Sequence, residues 1–329
     1  MKAIRVHEVG GPEKLVYEDV AEPKAGPGEV LIRVAAAGVA YTDTLIRRGE
    51  RHGPGEGLKL PFIPGLEVSG TVVSLGAGVS SLREGQRVIA GTPNNGYAEM
   101  VVTPASRVFP APDRLSLIDA AAIPVQGLTA TLALQSAGQL QSGEWVLVTA
   151  AAGGVGTYAI QIAKAIGARV IAGVGSDEKA AFVQELGADA SIIYRGGAWP
   201  GDVRKITGGQ GANLAFDSVG GDVFEACLTS LSFMGRAVAI GTIGGRPGAV
   251  NMDRVVGLNQ SIHGFTLGAQ LQKPQARAAI QNLMRWVGEG KVRPVIGERV
   301  ALRDAAELHR RLESRATRGN QVLVVSESS

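Results

Sequence analysis

The most specific functional signal in the sequence is a group of three glycines within four positions, Gly153, Gly154 and Gly156. They follow the short apolar run Trp145–Thr149, which is typical of a buried parallel strand, and they precede an apolar pattern of helical period. Glycine has no Cβ atom, so its N–H group can approach an anion closely, and the first turn of a helix offers further unpaired N–H groups. A second apolar run, Arg169–Gly173, completes the order strand, turn, helix, strand that a dinucleotide-binding fingerprint requires.

This turn differs from the usual fingerprint at one position, because Ala151 stands where the first glycine of G-x-G-x-x-G belongs. An ordinary tight turn between a strand and a helix is the alternative, but it leaves the three glycines unexplained. We therefore predict a site for a nucleotide pyrophosphate at the start of the helix. The predicted contacts come from Ala152, Gly153, Gly154, Val155 and Gly156.

The end of the second strand indicates which dinucleotide would bind. NAD sites usually carry Asp or Glu there to hold the ribose 2′-hydroxyl, whereas this strand runs into Val174, Gly175 and Ser176. Asp177 and Glu178 follow one step later and suit the first turn of the next helix, where acidic side chains oppose the helix dipole. The absence of a carboxylate at the strand end favours NADPH over NADH.

Four residues could accommodate the 2′-phosphate of NADPH. Gly175 leaves room for it, and the Ser176 hydroxyl can donate a hydrogen bond. Lys179 can supply a positive charge, and Tyr194 follows a third predicted strand, Ala190–Ile193. The alternative for Lys179 is an ordinary solvated lysine on a helix.

The composition is that of a globular α/β protein. Of 329 residues, 45% are hydrophobic and 19% are charged, and the net charge is only +3. No basic run interleaved with aromatic residues occurs, so we expect no nucleic-acid partner. Cys227 is the only cysteine, which excludes an intrachain disulfide and a cysteine-rich metal site. We identify no signal peptide and no apolar run as long as about 18 residues, which predicts a cytoplasmic protein without a membrane partner.

The pattern along the chain predicts two domains of an α/β fold. Residues 1–124 contain short extended runs between Gly and Pro turns, which is typical of a β-rich domain. Strand and helix patterns then alternate over 125–267, as in a doubly wound parallel sheet. Residues 268–329 are assigned to the β-rich domain, with a helix at Ala301–Ser314 and a strand at Gln321–Val325.

Segments spread over essentially the whole chain resemble one family. They are AAAGVAYTDTLIRRG at 35–49, PGLEVSGTVVSLGAGV at 64–79, GYAEMVVTPASRVFPAPDRLSLIDAAAIPVQGLTA at 96–130, AAGGVG at 151–156, FDSVGGDVF at 216–224 and LESRATRGNQVLV at 312–324. The chain resembles the medium-chain dehydrogenase/reductases and, among them, the zinc-independent quinone oxidoreductases related to ζ-crystallin. The resemblance implies a GroES-like catalytic domain at 1–124 and 268–329, and a Rossmann NADPH-binding domain at 125–267.

The resemblance also implies that no catalytic metal is present. Zinc-dependent members of the superfamily place Cys and His ligands at positions that correspond to Ala40 and Leu66 here. Glu67 alone cannot hold zinc, and we expect it to pair with a nearby arginine. A reductase without a Lewis acid would act on an acceptor that is already electrophilic, such as a quinone or an alkene conjugated to a carbonyl group.

The expected acceptor pocket lies near residues 40–45, by the same resemblance. Quinone reductases of this family usually have an Asn and a Tyr there, whereas this chain has Ala40 and Leu45. Tyr41 is the candidate proton donor, with simple packing as its alternative. Asp43 is the second candidate catalytic residue, although we expect it to fix a loop by hydrogen bonds rather than to act as an acid.

Further cofactor contacts are implied by the family motifs. The nicotinamide end is expected near Thr129, Gly241, Phe265 and Leu267, and the adenosine phosphate near Arg315, together with Lys179 and Tyr194. Val219 is a further expected cofactor contact. For Arg315 the alternative is a surface cation at the end of a helix.

Two other functions stay open. The protein could be an enoyl-thioester reductase for CoA-linked substrates, which the basic, glycine-rich segment Gly49–Pro61 would suit as a rim for an anionic acceptor. Ordinary solvated loop charges are the alternative for this segment, and the one that we favour. It could also be an NADPH-binding crystallin-like or regulatory protein with little turnover. The late strand pattern Ser261–Leu267 predicts a homodimer in which the sheet continues between subunits.

Overall fold

A computed structural model describes residues 1–50, 59–194, 197–241, 244 and 250–326. The strands are β1 (Lys2–Val6), β2 (Leu15–Asp19), β3 (Glu29–Val39), β4 (Glu67–Leu75), β5 (Arg87–Gly91), β6 (Met100–Pro104), β7 (Val108–Pro110), β8 (Trp145–Val148), β9 (Arg169–Val174), β10 (Ala190–Ile193), β11 (Ala212–Asp217), β12 (Leu231–Ala239), β13 (Ser261–Gly264), β14 (Ile296–Ala301) and β15 (Asn320–Val324). The helices are α1 (Tyr41–Arg47), α2 (Leu117–Ala120), α3 (Leu128–Leu132), α4 (Gly154–Ile166), α5 (Asp177–Glu185), α6 (Trp199–Ile206), α7 (Gly221–Ser230), α8 (Met252–Gly257), α9 (Leu267–Leu271), α10 (Ala276–Glu289) and α11 (Ala305–Glu313).

The chain forms two compact units. The first consists of Met1–Gln126 and Pro294–Ser329, and the second of Gly127–Arg293. The sequence prediction ended the second unit at residue 267, and the structure corrects this boundary. The helices α9 and α10 belong to the second unit because both contact α3. In addition, Ser136 donates a 3.2 Å hydrogen bond to Gln270.

The first unit is built on a seven-stranded sheet in the order β14-β15-β3-β4-β5-β7, with β6 also paired with β3. The strand β15 is parallel to β14 and antiparallel to β3. Strand β3 is 11 residues long, and two register shifts against β4 allow it to bend while it pairs with three strands. Its core includes the buried side chains Ile32, Val68, Val88, Val101 and Leu323.

The second unit contains a six-stranded parallel sheet in the order β10-β9-β8-β11-β12-β13. Strands β8 and β9 are almost wholly buried, as expected for a parallel sheet covered by helices. Helix α4 ends at Gly167, whose φ of 91° is the left-handed conformation that glycine adopts without strain. The predicted Rossmann-type sheet and the predicted β-rich domain are both confirmed.

The helical segment Leu117–Ala137 corrects one sequence prediction. It has 21 residues, and its most apolar 18-residue stretch has a mean hydropathy of 1.5, so by length and composition alone it could cross a membrane, although no such apolar run was predicted. However, 83% of its most apolar stretch is buried inside the protein, as in the core helix of a globular protein. Pro124 does not end the segment, because Ile123–Gly127 forms a π-helical turn that continues it.

The C-terminal part of the chain contains a strand that the sequence pattern did not predict. Strand β14 occupies Ile296–Ala301, and α11 begins at Ala305 rather than at Ala301. Along β14 half-buried and exposed residues alternate. No continuous apolar run therefore marks this strand.

Candidate functional site

The glycine turn joins the buried strand β8 to helix α4. Gly153 caps the helix with extended backbone (φ −82°, ψ 175°), and its N–H donates to the Ala150 carbonyl over 2.9 Å. A Cβ atom on Gly156 would lie 2.5 Å from the Ala150 oxygen and 2.6 Å from the Ala151 Cα atom. Only glycine fits there, so this residue allows the helix to begin directly against the turn.

The turn brings together the five residues that the sequence predicted as pyrophosphate contacts. Ala152 and Gly156 are buried, whereas Gly153, Gly154 and Val155 are half-buried. The N–H groups of the first helical turn have no carbonyl one turn earlier, and the helix dipole places partial positive charge at the same end. The residues present therefore fit a bound phosphate group.

A second group of predicted residues lies at the end of β9. The Ser176 hydroxyl oxygen caps α5 by accepting a 3.3 Å hydrogen bond from the Lys179 N–H, and this leaves the hydroxyl proton to donate elsewhere. A Cβ atom on Gly175 would meet no atom within 4 Å, so the backbone is open there. Burial lowers the pKa of Lys179 from its ordinary value.

Tyr194 also belongs to this end of the sheet. Its N–H donates to the Val174 carbonyl over 3.2 Å, and its ring lies 3.0 Å from the position of a Cβ atom on Gly173. The structure thus brings Tyr194 to the end of β9, where the sequence analysis expected an adenosine site. Asp177 and Glu178 occupy the first turn of α5, as expected.

The remaining predicted cofactor contacts lie in the loops after β11, β12 and β13 and in the helices α3 and α9. The Val219 carbonyl accepts a 2.6 Å bond from the Gly244 N–H, and a Cβ atom on Gly241 would lie 3.0 Å from the Ser218 oxygen. The buried Phe265 donates its N–H to the Ala239 carbonyl over 2.9 Å. Leu267 begins α9, and Thr129 lies buried in α3.

In the first unit, Tyr41 and Asp43 belong to the short helix α1. Tyr41 is half-buried at the first helical position, and Asp43 is fully buried. The Asp43 carboxylate accepts a 2.8 Å bond from the Ala40 N–H and so closes the start of the helix, which is the loop-fixing contact expected of it. Burial raises the pKa of Asp43 to about 7, although the Ala40 N–H and the neighbouring Tyr97 hydroxyl oppose this rise.

Among the residues that the structure describes, Glu67 pairs with amide groups rather than with the arginine that was predicted. Its carboxylate accepts hydrogen bonds from the Val125 N–H (2.7 Å), the Gln126 N–H (3.4 Å) and the Gln126 side-chain amide (2.8 Å). Burial is the main cause that raises the pKa of Glu67 to about 7, and the nearby Asp43 acts in the same direction. Glu67 therefore fixes the last residues of the first unit before the chain enters the second.

The first unit contains a buried polar cluster that no local sequence pattern predicted. The Arg47 side chain is fully buried and forms an ion pair with Glu313 of α11. The Tyr97 hydroxyl lies 3.1 Å from His309 Nε2, also on α11. Burial, helped by the charge of Arg47, lowers the pKa of His309 to about 3, so its imidazole is neutral at physiological pH.

Three further expectations concern metal ligands, Arg315 and the segment Gly49–Pro61. Within the described ranges, no group of three or more His, Cys, Asp or Glu side chains could hold a metal ion. Arg315 lies in the first unit, two residues after the end of α11, with a left-handed φ of 59°. Most of the segment Gly49–Pro61, including Arg51 and His52, lies outside the described residues.

The raised pKa of Glu67 is expected to make the stability of the protein depend on pH. Its pKa in the folded protein, about 7, exceeds the ordinary 4.5, so between these values the folded state binds more protons and stability falls as the pH rises. Glutamine resembles the protonated form, so Glu67→Gln should gain roughly 2 kcal/mol relative to wild type between about pH 5 and about pH 8. Urea-unfolding midpoints at the two pH values measure this gain. Equal pH dependence in both proteins would show that Glu67 is ionised throughout.

Comparisons with known proteins agree with both units. An alcohol dehydrogenase GroES-like domain matches residues 26–113, and a zinc-binding dehydrogenase domain matches residues 154–287. The quinone oxidoreductase of Pseudomonas aeruginosa is 34% identical over 98% of this chain and 99% of its own length. The 2-haloacrylate reductase of a Burkholderia species is 32% identical over 97% of each chain. The structure of Escherichia coli quinone oxidoreductase complexed with NADPH has a TM-score of 0.91 and 30% identity, covering 99% of this chain and 100% of that chain.

The two units and the glycine turn define a medium-chain dehydrogenase/reductase, a class of oxidoreductases. Within that class, the chain belongs to the quinone oxidoreductase family. The resemblance that the sequence motifs indicated is thereby confirmed.

Proposed function

We propose that the protein is an NADPH-dependent reductase that transfers hydride to quinones or to other α,β-unsaturated carbonyl acceptors. The observation that carries this proposal is the turn before α4, where the backbone at Gly156 leaves no space for a side chain and the first helical N–H groups converge. NADPH would supply the hydride, while the chain binds and orients it. The relative from E. coli, whose structure holds NADPH, supports this cofactor.

The preference for NADPH over NADH is expected to depend on Lys179. Ser176 and Lys179 come after β9, which ends without a carboxylate. A 2′-phosphate at the end of β9 would therefore meet no negative charge from the strand. Lys179→Ala should raise the Kd for NADPH by about fivefold, since charge-assisted bonds are weakened by partial exposure. The Kd for NADH, which lacks the 2′-phosphate, should stay unchanged in a parallel fluorescence titration. An equal effect on both cofactors would contradict this assignment.

The proposed acceptor class follows from two residues, one directly before α1 and one directly before β4. Ala40 and Leu66 stand where zinc-dependent relatives carry ligands, so polarisation of an alcohol or ketone by zinc has no ligand set at these positions. An acceptor that is already electrophilic needs only orientation and a weak proton donor. Tyr41 is the proposed donor, and Tyr41→Phe is expected to lower kcat without changing the Kd for NADPH.

Two observations bear on whether the acceptor is a quinone or a conjugated alkene. The P. aeruginosa and E. coli relatives are named quinone oxidoreductases, whereas the Burkholderia relative is named for reduction of a 2-haloacrylate, an alkene conjugated to a carboxylate. Ala40 and Leu45 replace the Asn and Tyr that quinone reductases of the family usually carry. Alkene reduction, including that of CoA-linked enoyl thioesters, is therefore the second candidate activity.

Steady-state oxidation of NADPH, with NADH alongside, tests the proposal. The acceptors should include ortho- and para-quinones, simple enones, acrylates and enoyl-CoA esters. Turnover with quinones would support the first candidate, and turnover confined to alkenes would support the second. Tight NADPH binding without turnover would favour the crystallin-like or regulatory alternative and overturn the proposed activity.

A homodimer in the cytoplasm completes the proposal. Strand β13 is an edge of the parallel sheet, and all four of its residues are exposed. Elsewhere in the second unit, β12 and α8 carry large apolar side chains that are more than half exposed, namely Phe233, Met234, Met252 and Val256. An exposed edge strand with an apolar surface favours pairing with a second subunit. A monomeric mass of 34.0 kDa by light scattering at micromolar concentration would contradict the dimer.

A further inference from the structure

A buried carboxylate, Asp217, lies at the end of the central strand β11. Its side chain is fully buried, and burial raises its pKa. One carboxylate oxygen accepts a 2.6 Å bond from the Thr149 hydroxyl and a 3.3 Å bond from the Val219 N–H, and the other accepts a 2.8 Å bond from the Gly220 N–H. Such a carboxylate is stabilised by the donors that surround it, and it holds those donors in place.

Thr149 links this carboxylate to the glycine turn. It follows β8 directly and precedes Ala150, whose carbonyl closes the turn by accepting from the Gly153 N–H. The Thr149 hydroxyl donates to Asp217 and accepts a 3.1 Å bond from the Ser218 N–H. One side chain pair therefore joins the loop that begins α4 to the loop that follows β11.

The loop that begins α4 contains backbone that needs external support. Ala150 has a φ of 45°, in the left-handed region that residues with a Cβ atom seldom adopt. Such a conformation persists when surrounding contacts impose it, and the bonds of the adjacent Thr149 to Asp217 and Ser218 are such contacts. In the other loop, Gly220 and Gly221 have φ values of 78° and 54°, which glycine adopts without strain, so there the bonds of Asp217 select one of several accessible conformations.

We propose that Asp217 and Thr149 are positioning residues, which set the pyrophosphate turn and the loop of Val219 in one geometry for binding NADPH. The inference rests on the proposed function, because it assigns these loops to the cofactor. Neither side chain needs to touch the cofactor. Their role is to fix the backbone of both loops, so that the turn presents its N–H groups to the pyrophosphate while the loop of Val219 keeps one position beside it.

Thr149→Val and Thr149→Ser form a matched pair for the test. Valine keeps the shape of threonine but removes the hydroxyl, whereas serine keeps the hydroxyl. Thr149→Val and Asp217→Asn should each raise the Kd for NADPH by about tenfold, and Thr149→Ser should change it by less than about threefold. Asp202→Asn, which removes a surface carboxylate of α6 paired with Lys205, is the control and should leave the Kd unchanged.

The outcomes separate this inference from the proposed function. If wild-type protein fails to bind NADPH in the same titration, the proposed function is wrong. If wild type binds but Thr149→Val and Asp217→Asn keep its Kd, or lose only thermal stability, the positioning role is wrong. Hydrogen exchange on wild-type protein needs no variant: the Val219 and Gly220 amides should exchange slowly without cofactor, and exchange as fast as in an unpaired loop would overturn the inference.

Discussion

Gly156→Ala is expected to weaken NADPH binding by about tenfold to a hundredfold, because a clash that costs about 1–3 kcal/mol falls on the binding turn itself. The added Cβ atom would lie 2.5 Å from the Ala150 oxygen and 2.6 Å from the Ala151 Cα atom. Both are backbone atoms, so no flexible side chain can move aside. Helix α4 must shift away from the turn, and its first N–H groups shift with it.

Fluorescence titration with NADPH measures this loss, and thermal unfolding checks that the variant is folded at the temperature of the assay. Gly201→Ala is the matched control, since a Cβ atom on Gly201 in α6 would meet no atom within 4 Å. The control should bind NADPH as wild type does. A Gly156→Ala variant with wild-type affinity would show that the turn does not carry the cofactor.

Glu313→Ala is expected to lower the free energy of unfolding by about 3 kcal/mol, because removing one partner of a buried ion pair leaves the other charge uncompensated. Arg47 has no exposed surface, whereas the Glu313 side chain is 21% exposed, and Arg48 Nη1 lies 3.7 Å from the same carboxylate. Arg48 can still turn to solvent, but Arg47 cannot. The cost therefore arises at Arg47.

Two variants separate charge from packing in this pair. Glu307→Ala, on the same helix, removes a carboxylate from ion pairs with Arg310 and Arg311 at the surface and should cost less than about 1 kcal/mol. The double variant Arg47→Met, Glu313→Ala should be more stable than Glu313→Ala alone, since it removes the buried charge as well. Urea unfolding at neutral pH compares the four proteins. Equal costs for Glu313→Ala and Glu307→Ala would show that Arg47 reaches water.

The cofactor turn could be predicted from the sequence because its determinants are local. The strand, the three glycines and the helix lie within a continuous stretch, and each has its own signal in residue type or period. The first turn of α5, with Asp177 and Glu178 after the Ser176 cap, is local in the same sense. The structure agrees with the sequence in each of these places.

The buried polar contacts could not be predicted, because their partners are distant in sequence. Arg47 and Glu313 are separated by 266 residues, and Tyr97 and His309 by 212. A buried carboxylate such as Glu67 takes whichever donors the fold brings to it. Here those donors are amide groups at the end of the first unit, rather than the nearby arginine that was expected.

The end of the second unit was misplaced for a related reason. Helices α9 and α10 follow the last parallel strand, and nothing local in their sequence identifies the surface that they cover. Their assignment depends on packing against α3, more than 130 residues earlier in the chain, as the bond between Ser136 and Gln270, separated by 134 residues, illustrates. Sequence period identifies a helix but not the surface that it covers.

The position of β15 between β14 and β3 has a consequence for synthesis on the ribosome. Strands β3 to β7 precede the second unit in the chain, yet β15, which pairs with Ala36–Val39 of β3, is made only after the whole second unit. Until Val324 has left the exit tunnel, a nascent chain presents this part of the edge of β3 unpaired, which is the kind of surface that recruits other strands or chaperones. The second unit can fold while it waits, so the unit that begins the chain is the last to be completed.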